Sequence, residues 1–247
     1  MEAYQNLSAL VYDIDKPIGK SFGDLEFYQS VLSKVNGKIL EPACGNGRLL
    51  IPLFKAGYKI EGFDQSDSML KHLKKHCEYY NISPIVWRDS MESFRYKSLY
   101  DAVILPAGSF MLLKEESSAE KTINRFHSAM NRGAKLFIDY YLDDVIEVGD
   151  EERRTFAFQD ATIYLTMQVN AFDALENTYT SHHFYEYVKD GKTLSKETEI
   201  FPLKFYTHKA IQTLLESNGF KIQTMYYDYQ EIPNKNASMY TIEAIKL

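Results

Sequence analysis

The chain reads as an α/β protein, a doubly wound and mostly parallel sheet of seven strands with an antiparallel sheet inserted after the fifth. Three observations predict this. Residues 38–64 run apolar strand, glycine turn, amphipathic stretch, apolar strand and acidic residue, the pattern of one βαβ unit built around a ligand. Strand-length apolar runs then alternate with helix-period stretches as far as residue 140. From 153 to 205 the period changes to two, and the segment is rich in Tyr, Phe and Thr.

The elements follow in order. Leu25, Tyr28, Val31 and Leu32 fall at helical spacing behind Asp24, a plausible N-cap for a helix over 24–35. The first strand is expected at about 38–44, a helix at 47–56 and the second strand at 58–63. Ser66 or Asp67 starts a helix carrying Met69, Leu70 and Leu73. Ile85-Val86-Trp87 is strand three. The apolar run Tyr100–Leu105 is strand four, of the kind that buried parallel strands show. A polar helix over about 115–131 ends near Asn131-Arg132-Gly133, and Ala134 to Tyr140 is strand five. In the period-two segment, Lys189-Asp190-Gly191-Lys192 is a two-residue hairpin signal. Thr207 to Ser217 returns to helical spacing and stops at Asn218-Gly219. Residues 220–229 and 239–247 are the last two strands.

Composition bounds the function. With 247 residues and 45% hydrophobic content, the chain fits one domain, or one domain with a sizeable insertion. A net charge of −6 supplies no general attraction for nucleic acid, so no nucleic-acid partner is expected. The basic cluster Lys71–His76 reads as the solvated face of a helix. No apolar run is long enough to cross a bilayer. The segment Met1–Asn6 lacks the basic and apolar regions of a secretory leader. Cys44 and Cys77 have no metal-ligand spacing, and no metal is expected. Two thiols in a chain this long point to a reducing compartment, so the cytoplasm is the expected location.

The ligand is read from the stretch Glu41-Pro42-Ala43-Cys44-Gly45-Asn46-Gly47-Arg48. Gly45 and Gly47 permit a tight turn, and Asp64, about twenty residues beyond, stands where a carboxylate can bind ribose hydroxyls. Glu41 argues against a dinucleotide, because it would repel a pyrophosphate placed at the glycine turn. A nucleoside with a cationic tail fits better, and S-adenosylmethionine has that shape.

Here the chain resembles the class I S-adenosylmethionine-dependent methyltransferases, in their small-molecule branch. Glu41-x-Ala43-x-Gly45-x-Gly47 stands for the first motif, with Ala43 in place of the first glycine. Asp24-Leu25-Glu26-Phe27-Tyr28 precedes it, Asp64-Gln65-Ser66-Asp67-Ser68-Met69-Leu70 closes the second strand, and Phe205-Tyr206-Thr207 opens a late helix. The resemblance implies a Rossmann-like sheet closed by an antiparallel hairpin. It divides the chain into a cofactor-binding domain, residues 1–152 and 206–247, and a substrate cover, residues 153–205.

It also implies roles. Glu41, Ala43, Gly45 and Asn46 would hold the methionine end of the cofactor. Arg48, disfavoured by the helix dipole without an anionic partner, is either the cofactor carboxylate's partner or a solvated arginine. Asp64 would take the ribose, or else cap the next helix, with Gln65 beside it. Met69 lines the adenosine pocket or belongs to the core. Asp89-Ser90-Met91 would read adenine through a carboxylate, a backbone N–H and an apolar side chain. Pro106 stands at the mouth where the methyl group is transferred. Tyr12 and Phe22 could form a lid.

For the acceptor, the candidates are Phe110, Tyr140, His183 and Tyr185. Period two places His183, Tyr185 and Tyr187 on one strand face and His182, Phe184 and Glu186 on the other. His183 and Tyr185 are the candidate bases for a hydroxyl nucleophile, while a neutral amine would need none, so no catalytic residue is assigned. The expected partner is a small-molecule methyl acceptor, and the expected assembly is a monomer or homodimer. Two alternatives remain open at this point: a cofactor-binding regulatory module, whose pocket would be plugged, and a nucleotide-dependent dehydrogenase.

Overall fold

The computed structural model describes residues 4–142 and 147–247. The first three residues of the segment read for a leader lie outside that range. Seven strands form the main sheet: β1 (Ile39–Pro42), β2 (Ile60–Asp64), β3 (Val86–Arg88), β4 (Tyr100–Leu105), β5 (Met130–Tyr140), β10 (Phe220–Tyr227) and β11 (Tyr240–Lys246). Their order is β10-β11-β5-β4-β1-β2-β3. The β1–β2, β1–β4, β2–β3 and β4–β5 pairings are parallel, while β11 pairs antiparallel with both β5 and β10. Chain direction along the sheet reverses between β1 and β4. A doubly wound sheet opens its ligand crevice at such a switch point, at the carboxyl ends of the strands.

Strand alternation builds two core layers. Leu105, Leu136, Ile138 and Tyr140 face α5 (Glu116–Ala129) and α6 (His208–Ser217), where Ile123, Phe126, Ile211 and Leu215 are buried. Ile39, Ile60, Ile104 and Phe137 face α2 (Asp24–Leu32), α3 (Leu50–Lys55) and α4 (Asp67–Tyr80), where Tyr28, Leu32, Leu53 and Leu73 are buried. Burial on both faces explains why β4 reads as a continuous apolar run.

The four remaining strands, β6 (Glu151–Phe158), β7 (Ala161–Asp173), β8 (Thr178–Lys189) and β9 (Lys192–Lys204), make a separate antiparallel meander in chain order. Asp190 (φ 49°) and Gly191 (φ 72°) turn the β8–β9 hairpin with both central residues left-handed, as the right-handed twist of the strands favours. The inner face buries Phe156, Ile163, Leu165 and Tyr185 around Val11 of α1 (Leu7–Asp15). Tyr164 and Phe184 stand half-exposed on the outer face.

Several elements differ from their sequence reading. Helix α1 is absent from the sequence reading, although Leu7, Leu10, Val11 and Ile14 fall at helical spacing and pack on the inserted sheet. Asp24 is not the N-cap of α2. Gly23 (φ 92°) takes that place, and Asp24 accepts the backbone N–H groups of Phe22 and Leu25 with one oxygen. Of the two candidate caps for α4, Ser66 performs the role, accepting the Met69 N–H at 3.1 Å. Strand β5 starts at Met130 directly after α5, and its pairing with β4 is irregular between Tyr100 and Ala102. A 3₁₀ turn over Ser109–Leu112 follows β4.

Candidate active site

The glycine turn leaves β1 with Ala43 (φ 52°), Gly45 (φ 56°) and Gly47 (φ 86°) all left-handed. At Gly47 a side chain is disfavoured twice, by that conformation and because a Cβ would stand 3.0 Å from both Ile51 and Leu73. Ala43 adopts the same region with a Cβ, at a cost of about 1–2 kcal/mol. Asp64, at the end of β2, spans the turn: Oδ2 accepts the Gly45 N–H at 2.9 Å and Oδ1 accepts the Ser66 N–H at 2.8 Å. Each oxygen keeps a second lone pair for a ligand hydroxyl. Burial raises the Asp64 pKa, and the N–H groups of Ser66, Gly45 and Gln65 oppose the rise.

Glu41 is buried beneath this turn, and its Oε2 has no hydrogen-bond partner. Burial pushes its carboxyl up to about 8. Arg48 opposes that shift, while Asp24 and Asp64 add to it. A buried acceptor without a donor is costly unless a ligand supplies one. The cationic end of S-adenosylmethionine is such a donor, so the chain's own residues fit that cofactor and not a pyrophosphate.

A cavity of about 490 Å³ opens beside the turn, within the range of small-molecule sites. Of the residues expected at the cofactor, Tyr12, Ala43, Gly45, Asp64, Gln65, Met69, Asp89, Ser90 and Met91 line it. The oxygens of Asp89 are turned partly inward on its own loop, accepting the N–H groups of Ser90 and Arg95, both at 2.9 Å.

Four residues expected at the cofactor are not among those that line the cavity. Glu41 lies beneath the glycine turn, where its unpartnered Oε2 is the group a ligand's cationic end would have to reach. Asn46 ties the turn to α1, donating to Asp13 Oδ1 at 2.8 Å and to the Lys16 carbonyl at 3.0 Å. Arg48 is neither solvated nor on the cavity: it forms a buried ion pair with Asp24 and donates to the Lys20 carbonyl at 2.8 Å. Pro106 is buried, with its carbonyl accepting the Ser109 N–H at 3.2 Å, so the wall beyond β4 is Ala107, Gly108 and Ser109.

The acceptor candidates need more correction. Phe110 is core, tilted against Tyr206 at 5.2 Å. Tyr140 points to the opposite side of the sheet, where its hydroxyl meets His208 Nδ1 at 2.6 Å, and its neighbour Tyr141 lines the cavity instead. Tyr185 packs behind α1 and donates to Glu199 at 3.2 Å. His183 reaches the site only indirectly, stacked on Phe201 at 5.0 Å, and burial lowers its pKa to about 4. Phe201 and Leu203 of β9 are the residues of the inserted sheet that line the cavity. Phe22 is 53% exposed and lies over Arg48, away from the cavity wall.

Sequence reading also missed Tyr4 and Lys16. Both come to the cavity on the N-terminal segment, which is pinned from three sides. Asp13 bridges His72 (3.0 Å) and His76 (2.7 Å) of α4. Glu197 of β9 accepts the N–H groups of Leu7 and Ser8, and Arg154 of β6 pairs with Asp15. Ser66 donates to the Tyr4 carbonyl at 2.6 Å. The spacing of His72 and His76, one helical turn apart on the basic face of α4, was the one available signal for this contact.

Comparison with known proteins agrees with this geometry. Residues 39–133 match the methyltransferase domain family. The putative methyltransferase YqeM of Bacillus subtilis is 24% identical over 198 residues, 79% of this chain and 78% of that one. A glycine/sarcosine N-methyltransferase of Halorhodospira halochloris is 26% identical over 217 residues, 85% and 75% of the two chains. The crystal structure of an S-adenosylmethionine-dependent methyltransferase from Clostridium acetobutylicum superposes with a TM-score of 0.78 at 15% identity, covering 96% and 97%. The matched domain and the superposed fold are similar to those of the class I methyltransferases. These similarities support an S-adenosylmethionine-dependent enzyme.

Proposed function

We propose that the protein methylates the nitrogen of a small-molecule amine. The observation that carries this reading is the composition of the cavity wall. Beyond the cofactor residues the wall carries several aromatic rings among aliphatic and polar side chains, with Tyr4 edge-on to Tyr12 at 5.3 Å and to Phe201 at 5.9 Å, and Tyr141 beside the turn after β4. Aromatic faces attract an ammonium, the product of amine methylation. No histidine stands on the wall among the described residues; of the carboxylates that line it, Asp64, Asp89 and Glu92 gather at the ends of β2 and β3, on the side assigned to adenosine, and Glu115 stands beyond the 3₁₀ turn after β4. A hydroxyl acceptor would have to use Glu115 as its base, whereas a neutral amine needs none. The glycine/sarcosine N-methyltransferase relative acts, by its name, on amines, which supports the same choice.

When bound, S-adenosylmethionine supplies an electrophilic methyl group on a good leaving group. The chain's tasks are alignment and exclusion of water. Asp64 would hold the ribose, Asp89 and the Ser90 N–H the adenine edge, and Met69 and Met91 its faces. Glu41 would take the ammonium of the methionine end. With Arg48 committed to Asp24, the cations that line the cavity are Lys16 and Lys114, and Lys16, tied by its carbonyl to Asn46 of the glycine turn and lying over Tyr12 at 4.8 Å, would take its carboxylate. Helix α1 and strand β9 close the cavity from above, which suits a metabolite and not a polymer. We place the enzyme in the cytoplasm, where its free, buried Cys44 and Cys77 stay reduced, as a monomer or homodimer.

Isothermal titration tests the cofactor: S-adenosylhomocysteine binds one-to-one and NAD does not. A screen of amines, alcohols and carboxylates followed by S-adenosylhomocysteine production tests the acceptor. Turnover confined to hydroxyl acceptors, or to RNA, DNA or protein, refutes the proposal.

A further inference from the structure

The wall beyond β4 depends on a turn that an L-residue resists. Ala107 (φ 56°) and Gly108 (φ 72°) are both left-handed, and Ala107 pays the steric cost of its Cβ there. Asp139 of β5 and Tyr141, just beyond the strand's end, hold this turn. Asp139 lies beneath it, fully buried, and its Oδ2 accepts the Ala107 N–H at 3.0 Å and the Tyr229 hydroxyl at 2.9 Å. Its Oδ1 accepts Tyr28 at 2.9 Å and Thr241 at 2.7 Å. Tyr141, two residues on, covers Gly108 so closely that a Cβ there would stand 2.6 Å from its ring. The carboxylate thus meets four neutral donors and no cation among the described residues.

We propose that Asp139 is a positioning residue of the site, holding the Ala107–Gly108 turn in the conformation that walls the cavity. This rests on reading the cavity as the methyl-transfer site. Asp139 touches no ligand and acts only through the turn. Its acceptor oxygen, not its charge, is what the turn needs. An asparagine can offer its amide oxygen to Ala107 and Tyr229 while its NH2 donates to the Tyr28 and Thr241 hydroxyls.

The test is titration of S-adenosylhomocysteine into the wild type, Asp139→Ala, Asp139→Asn and the double variant Asp139→Ala/Ala107→Gly, with each melting temperature recorded. Asp139→Ala should bind about tenfold more weakly, the scale of one lost hydrogen bond to a charged group. Asp139→Asn should stay within about threefold of wild type on the acceptor argument. The double variant should recover most of the loss, because glycine adopts the left-handed turn unaided. A merely structural role predicts no such rescue. Wild-type affinity in Asp139→Ala, or a double variant no better than the single, overturns the proposal. If Asp139→Ala does not fold, amide exchange at Ala107 in the wild type decides: protection supports the anchor, and exchange at open-loop rates refutes it. Failure of the wild type to bind S-adenosylhomocysteine would refute the methyltransferase reading instead.

Discussion

Glu41 is the residue on which cofactor recognition and proton balance meet. Burial raises its carboxyl to about 8, so at pH 7 it is mostly protonated in the ligand-free protein. A cationic methionine end placed against it favours the ionised form. Binding of S-adenosylhomocysteine at pH 7 should therefore release a proton, approaching about one per site, and the release should vanish well above pH 8. Titration in buffers of different ionisation enthalpy measures this number directly. Glu41→Gln should abolish the release and weaken binding. Proton-independent binding at pH 7 would show that Glu41 does not face the cationic end.

Helix α1 shows how a short amphipathic element becomes part of a site. Its nine residues have no side-chain N-cap bond, and so short a helix is marginal on its own. Asp13 ties it to three partners at once, His72, His76 and Asn46. Burial disfavours the charged Asp13, but hydrogen bonds from His72, His76 and Asn46 outweigh this and hold its pKa well below the usual range. A depressed carboxyl stabilises the folded state above the ordinary carboxylate range, and that stabilisation is lost as pH falls through the lower folded value. Asp13→Ala should leave the main sheet intact and free α1, speeding S-adenosylhomocysteine dissociation about tenfold, the scale of charge-assisted hydrogen bonds lost. The single tryptophan, Trp87, packs against Phe63 of the cavity wall at 5.4 Å and offers a stopped-flow signal. An unchanged dissociation rate would mean that α1 does not cover the bound ligand.

At the scale of the whole molecule, the buried acids at the site make its stability depend on pH. Burial raises Asp139 to about 6 against the donors Thr241, Ala107, Tyr28 and Tyr229, and Glu41 to about 8. An acid raised in the folded state stabilises most below its unfolded pKa, and that contribution is lost as pH rises through the folded value. The ligand-free melting temperature should therefore fall from pH 5 to pH 8.5, and saturating S-adenosylhomocysteine should flatten the upper part of the fall. Scanning calorimetry across this range checks both, and a melting temperature that rises with pH contradicts the assignment. The same division between local and distant causes explains what the sequence determined alone. Apolar periodicity placed the strands and helices of the main sheet, because burial on one or both faces writes itself into neighbouring residues. The glycine turn, Asp64 and the Asp89–Met91 loop were legible because they sit at strand ends, whose position follows from the strands. The tertiary structure decided the rest. Nothing near Arg48 in the chain announces Asp24 as its partner, and only packing distinguishes Tyr141 from Tyr140 at the end of β5. Tyr4 and Lys16 reach the cavity because α1 is pinned by α4 and the inserted sheet, contacts between residues far apart in sequence. Long-range contacts of this kind leave no local period, so they become visible only once the chain has folded.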